Sequence, residues 1–159
     1  MTKTDFERDT MSVAQEITEK FNQRDFAGII EDGDGAVDYT EVGTGRRITD
    51  PDEMIALLQG WTTAFPDVRG TVLSAMRDGE RLCLEIHWEG THSGPLQTPA
   101  GTVPASGNHL STRAVELLTI RDGRVVDSTH YVDVMTLMNQ ISGSSSVTAT
   151  GERKSSAPA

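Results

Sequence analysis

Cysteine is nearly missing from this chain: Cys83 is the only one in 159 residues. That excludes an internal disulfide and a cysteine-rich metal site. No run approaches the roughly eighteen apolar residues that a membrane-spanning helix needs. The N-terminus, Met1-Thr2-Lys3-Thr4-Asp5, leads into a charged amphipathic stretch instead of the apolar core of a signal peptide. Basic residues are scarce as well, 14 against 24 acidic ones, for a net charge of −10. Such a surface repels phosphate backbones and anionic lipid, so neither nucleic acid nor a membrane is an expected partner. His87, His92, His109 and His130 show no HExxH or comparable ligand spacing, and no metal site is expected. GxSxG is absent, and Gly43-Thr44-Gly45 fits neither GxGxxG nor GKS/T. These absences leave an acidic, soluble, cytoplasmic domain. Any chemistry it performs is expected to use acids, bases and a shaped pocket, with no cofactor.

What is present organises into one domain over residues 1–141. The remainder, 142–159, reads SGSSSVTATGERKSSAPA, too poor in apolar groups to offset the entropy of ordering, and is expected to be a disordered tail. Thr4 and Glu7 have capping-box spacing before a helix whose face carries Phe6, Thr10, Val13, Ile17 and Phe21, with Ala14 beside them. A further turn or two covers Asp25 to Glu31, and a short strand is expected over Ala36 to Thr40. Asp50-Pro51-Asp52-Glu53 opens the next helix, with Met54, Leu57, Leu58, Trp61 and Phe65 on its apolar face and Pro66 after it. The period then changes to that of strands. Val68–Met76 and Leu82–Trp88 flank Asp78-Gly79, and His109–Ile120 and Val125–Val132 flank Asp122-Gly123, the residues of a two-residue hairpin turn. Val134, Leu137, Met138 and Ile141 form the stripe of a closing helix. Helices first and antiparallel strands after predict an α+β fold.

Regular two-residue loops pair Glu116 with Thr129, Ala114 with Tyr131 and Thr112 with Asp133. Thr112, Ala114, Glu116, Leu118, Thr129, Tyr131 and Asp133 then share one sheet face. In the first hairpin Thr71, Leu73 and Ala75 join Leu82, Leu84, Ile86 and Trp88. Cys83, Glu85, His87 and Glu89 make a wetter opposite face. A largely apolar face carrying two carboxylates, Glu116 and Asp133, is the anomaly. A carboxylate removed from water without a partner costs several kcal/mol or is pushed up in pKa. By register these two lie roughly 13 Å apart, too far to share a proton but suited to opposite ends of a flat ligand. Plainer readings stand beside this one. Asp133 precedes a helix and can be its N-cap, Glu116 can be salt-bridged or lie on a dimer surface, and Tyr131, Trp61 and Phe65 can be core.

Several motifs together resemble one family. They are Trp61-Thr-Thr-Ala-Phe65-Pro66-Asp67, Gly90-Thr91-His92-Ser93-Gly94-Pro95-Leu96 and Asp122-Gly123-Arg124-Val125-Val126-Asp127, followed by Asp133 before a helix ending Leu137-Met138-Asn139-Gln140. The chain resembles the SnoaL-like polyketide cyclases of the NTF2-like fold from about Met11 to Ile141. The resemblance implies an NTF2-like cone, a curved antiparallel sheet wrapped around N-terminal helices, usually dimeric, with a deep pocket between. It implies a general acid/base at Asp133 for cofactor-free aldol closure of a polyketide ester, in antibiotic biosynthesis. Glu116 falls where the ester cyclases carry an assisting histidine, and Leu96 to Gly107 replaces their Pro-Pro-Thr-Gly loop.

The expected function is therefore ring closure of a polyketide or related poly-carbonyl by Asp133 and Glu116. Tyr131, Trp61, Phe65, Tyr39, Thr112 and Thr129 are the expected substrate-binding residues, in a homodimer that takes an aromatic or polyketide small molecule. Alternatives on the same fold are a ketosteroid-isomerase-like isomerase, using Tyr131 or Tyr39 as oxyanion donor, an epoxide hydrolase, or a non-catalytic binding or dimerisation module.

Overall fold

The structure is a computed structural model that describes residues 3–143, with side chains from residue 10 onward. The side chains of the expected cap, Thr4 and Glu7, and all but Ser142 and Gly143 of the expected tail 142–159 lie outside those limits. Helix α1 (Lys3–Asn22) buries Thr10, Ala14 and Thr18, a stripe at helical spacing, and packs along strand β3. A short helix α2 (Phe26–Glu31) follows, capped by Asp25, whose carboxylate accepts from Gly28 N. Strands β1 (Tyr39–Glu41) and β2 (Arg46–Ile48) form a small hairpin around Gly43-Thr44-Gly45. Helix α3 (Pro51–Ala64) starts as its sequence dictates. Asp50 accepts from Asp52 N at 2.9 Å and Glu53 N at 3.0 Å, with Pro51 in the first position.

The long strands are β3 (Arg69–Asp78), β4 (Arg81–Thr91), β7 (His109–Arg121) and β8 (Arg124–Val132), and helix α4 (Val134–Ile141) closes the described chain. Their sheet runs β2-β1-β8-β7-β4-β3. It is mixed, not wholly antiparallel, because β1 runs parallel to β8. Two elements had no strong sequence pattern, β2 and the small hairpin β5 (Leu96–Thr98) and β6 (Gly101–Val103), each three residues long. The hairpin's base is fixed where Ser93 N and Gly94 N both donate to Ala64 O. Glycine is required at position 94, since a Cβ there would sit 2.1 Å from Thr63 O.

Both main hairpins depart from simple pairing. In the first, Asp78 pairs with Arg81, so the turn centres on Gly79-Glu80, one residue beyond the expected Asp78-Gly79. Leu73 is the extra residue of a β-bulge and lies exposed, so Val72 and not Leu73 packs toward the core. In the second, Asp122 and Gly123 hold the expected turn, both at positive φ (52° and 77°). There the pairing of Ile120 with Val125 gives way to Thr119 with Asp127, which leaves Val126 as the bulged residue. The core lies between sheet and helices. Leu82, Leu84 and Ile86 of β4 meet Leu118 and Ile120 of β7 under Ala14. Phe65, Val68, Leu110, Leu137 and Ile141 form a second cluster toward α4.

Candidate active site

The bulge at Val126 decides what faces the interior. Beyond it Glu116 pairs with His130 and Ala114 with Val132, so Ser128, His130 and Val132 turn inward on β8. Thr129 and Tyr131, expected on that face, pair with Leu117 and Val115 on the other side of the sheet, and Tyr131 is 46% exposed. One extra residue reverses the pleat, and this corrects the expected placement of both.

Two neighbouring hollows lie between the inner face and the helices. A deep chamber of about 130 Å³ is lined by Tyr39, Trp61, Trp88, Thr112, Glu116 and His130 among apolar neighbours from α1 and α3. An outer vestibule of about 680 Å³ is lined by Glu41, Arg46, Glu53, Trp61 and the tip of the β5–β6 hairpin. The two share Leu57, Trp61, Val132 and Leu137. The vestibule falls in the size range of small-molecule sites, and the chamber is smaller. Of the expected binding residues, Tyr39, Trp61 and Thr112 line the chamber. Phe65 lines neither hollow. It is fully buried, stacked on Trp61 at 5.8 Å and against His92 at 5.1 Å.

The chamber is polar in an unusual way. His130 Nε2, Thr112 Oγ1 and Trp88 Nε1 are all buried without a hydrogen-bond partner among the described residues. All three belong to chamber-lining residues, and Trp88 and Thr112 are direct cross-strand partners. A buried polar atom without a partner costs about 1–3 kcal/mol. Three of the four such atoms among the described residues belong to residues of this hollow, the fourth being His92 Nε2 beside Phe65. Glu116 spends one oxygen on Ser128 Oγ, 2.7 Å away. Tyr39 places its hydroxyl 3.2 Å from Glu41 Oε2 and 3.3 Å from His130 Nδ1. Burial first, then the charges of Glu41 and Glu116, push that phenol far above its usual range, so it keeps its proton. Glu41 itself is 2% exposed, takes a 2.5 Å hydrogen bond from Thr44 Oγ1, and has Arg46 Nη1 at 4.0 Å.

Asp133 sits elsewhere. It is the N-cap of α4, where Oδ1 accepts from Thr136 N at 2.9 Å and Oδ2 from Thr136 Oγ1 at 2.7 Å. Those bonds, the backbone one foremost, hold its carboxyl below the usual carboxylate range. It is exposed and lines neither hollow. The expectation that it shares the face of Glu116 is corrected by the same bulge. Arg113 lies on the outer face, paired with Glu85 at 3.0 Å. No group of three or more His, Cys, Asp and Glu side chains comes together among the described residues in a way that could hold a metal. No described helix is long and apolar enough to cross a membrane.

Sequence reasoning missed His130, Trp88 and Glu41 as site residues. A signal for His130 was present. Val125-Val126 places two apolar residues side by side just after the turn, as a bulge can, although Asp127-Ser128-Thr129-His130 keeps the rest of the strand from alternating.

A family model described as SnoaL-like polyketide cyclase matches residues 12–141. Comparison with curated proteins finds no match. Among solved structures, AclR from Streptomyces galilaeus is similar at 24% identity and a TM-score of 0.73, covering 89% of this chain and 85% of that one. TsrD from Streptomyces laurentii is similar at 19% identity and a TM-score of 0.66, covering 84% and 96%. A ketosteroid isomerase-like fold from Catenulispora acidiphila, solved with trimethylamine, is similar at 14% identity and a TM-score of 0.64, covering 79% and 88%. At these identities the likeness is one of fold.

Proposed function

Because the chain belongs to the SnoaL-like polyketide cyclase family, we propose that its chamber carries out cofactor-free aldol ring closure of an aromatic polyketide, with His130 and Glu116 as the acid/base groups. The observation that supports this reading is that three residues lining one chamber, His130, Thr112 and Trp88, each hold a buried polar atom without a partner, Nε2, Oγ1 and Nε1. A carbon between two carbonyls gives its proton to Nε2, and the charge moves to the adjoining oxygen. Hydroxyl and indole N–H donors fixed in a dry site stabilise that enolate oxygen more than they would in water. The enolate carbon then bonds to a ketone carbon within the same molecule, and the resulting alkoxide takes the proton back from the imidazolium. Nothing is added or lost, so product and substrate have the same mass. Glu116, opposite His130 on β7, favours the imidazolium while it exists. In this reading the acid/base role expected of Asp133 belongs to His130 and Glu116, and Asp133 serves the helix.

The fold alone accommodates isomerases as well. The oxyanion donor such an enzyme would draw from a tyrosine has less support here. Tyr131 is on the outer face, and the Tyr39 hydroxyl is already engaged by Glu41. The test is product formation from an anthraquinone-type polyketide methyl ester, followed by liquid chromatography and mass spectrometry, with wild type, His130→Gln and Asp133→Asn side by side. A same-mass cyclised product from wild type and Asp133→Asn, and none above background from a folded His130→Gln, is the expected result. Equal cyclisation by His130→Gln overturns the assignment.

A further inference from the structure

Glu41 is almost completely buried, yet the ring closure as written gives it nothing to do. A carboxylate held in such a place needs its oxygens occupied, and they are: Thr44 Oγ1 donates to Oε1 and Tyr39 Oη to Oε2. The Arg46 guanidinium, 4.0 Å from Oε1, supplies an opposite charge. Tyr39 has one proton to give. Once it is given to Glu41, the same oxygen can only accept from its other neighbour, His130 Nδ1 at 3.3 Å. The neutral imidazole must then carry its proton on Nδ1, and Nε2, buried and without a hydrogen-bond partner on a chamber-lining residue, is left with a lone pair.

We propose that Glu41 is a positioning residue that acts through Tyr39 to hold neutral His130 in the Nδ1–H form, so that Nε2 is the base. The chain Glu41–Tyr39–His130 does what a carboxylate in direct contact with an imidazole does elsewhere, with a phenol interposed. It runs from β1 to β8 across the one parallel pairing of the sheet, which sets Glu41 against His130 in register. The titratable groups facing His130 are few. Tyr39 comes from β1 and Glu116 from β7, while α1, α2, α3 and β4 present only apolar residues, Thr18 and the two indoles to the chamber. Glu116 is turned to Ser128 Oγ on its own side of the ring pair.

This inference rests on the acid/base reading for its catalytic meaning, but its measurement needs no substrate. Long-range proton–nitrogen correlation spectra of the ¹⁵N-labelled full chain, taken at about pH 8 where a histidine of ordinary pKa is neutral, report which nitrogen carries the proton. His130 is identified by the loss of its signals in His130→Gln. In wild type, Nδ1 is expected in the pyrrole-like region and Nε2 in the pyridine-like region. In Glu41→Gln the amide oxygen stays toward Arg46 and Thr44, and the amide nitrogen meets Tyr39. The phenol proton then turns to Nδ1, and the two nitrogens exchange regions. Tyr39→Phe removes the link and lets Nε2–H return, which keeps the test decisive if Glu41→Gln does not fold. A wild-type His130 protonated on Nε2 overturns the proposal. So does a Glu41→Gln or Tyr39→Phe protein that keeps the Nδ1–H form. Failure to cyclise any polyketide, with the tautomer exchange observed, counts against the proposed reaction and leaves the role of Glu41 standing.

Discussion

Glu116 in the middle of β7 and Asp133 just after β8 are carboxylates of one hairpin, and the sequence alone treats them as equals. The structure separates them by what each has left to offer. Asp133 has both oxygens occupied by Thr136 and stands in water, with its proton affinity lowered. Glu116 has one oxygen on Ser128 and belongs to a chamber whose other polar groups are His130, Thr112, Trp88 and Tyr39. The lesson is that the side chain's chemistry is fixed by the donors around it. A carboxylate satisfied by its own helix is structural, and one set beside unsatisfied groups in a hollow is available for work.

That contrast can be broken most forcefully from the chamber side. Glu116→Gln and His130→Gln should each lower turnover by about 10²–10⁴-fold, the range of a lost acid/base group, with melting temperatures near wild type. Steady-state rates and thermal melts on the same samples check this. A loss of turnover in Asp133→Asn instead would invert the comparison. Thr112→Val sharpens it next. Loss of one fixed donor should cost roughly 10²-fold in kcat. The free protein should melt at the same temperature or higher, because the hydroxyl has no partner to lose. A destabilised Thr112→Val protein would mean that the hydroxyl is structurally engaged.

The cap side predicts a pH effect and no catalytic one. The Asp133 carboxyl is held below its ordinary value of 3.8 in the fold, so its stabilisation is present above that value and lost as pH falls through the lowered one. Asparagine caps nearly as well but does not titrate. Melting temperatures of Asp133→Asn should therefore fall less steeply than those of wild type as pH drops from about 5 to 3. A parallel decline in the two proteins would refute the capping account. The smallest effect is expected of Tyr131→Phe, which should leave turnover unchanged because that hydroxyl is on the outer face. A measurable loss in kcat would put Tyr131 back in the site.

Much of the fold was legible from local chemistry. The Asp50-Pro51 start of α3, Thr10 and Ala14 on the packed side of α1, and the turn at Asp122-Gly123 follow from rules that operate within a few residues, whereas Thr18 was not expected on that side. The strands of three residues were harder, because β2 and β5–β6 are too short for alternation to register. The site was legible in part. Alternation set Glu116 and Thr112 on the inner face and the helical period set Trp61 on the inner face of α3, while no local pattern placed Tyr39. Thr129, Tyr131 and Asp133 were misplaced, because alternation carries no memory of an inserted residue and Val126 lies between them and the turn. Glu41 escaped because its neighbour is not local. Parallel pairing with β8, 89 positions along the chain in the pairing of Glu41 with His130, brings it to the site.

The extra residue at Val126 also gives the protein an arithmetic. Facing is a matter of odd and even along β8, and the bulge is the point where the count is reset. Val125 N bonds to Asp32 O and Ser128 N to Asp38 O, so the reset is clamped on either side by the chain leading into β1. Removing one residue there would exchange the histidine for Tyr131 and Thr129 at the wall of the chamber while every other element kept its place. Along this strand a change in length is thus a change in which side chains face the chamber.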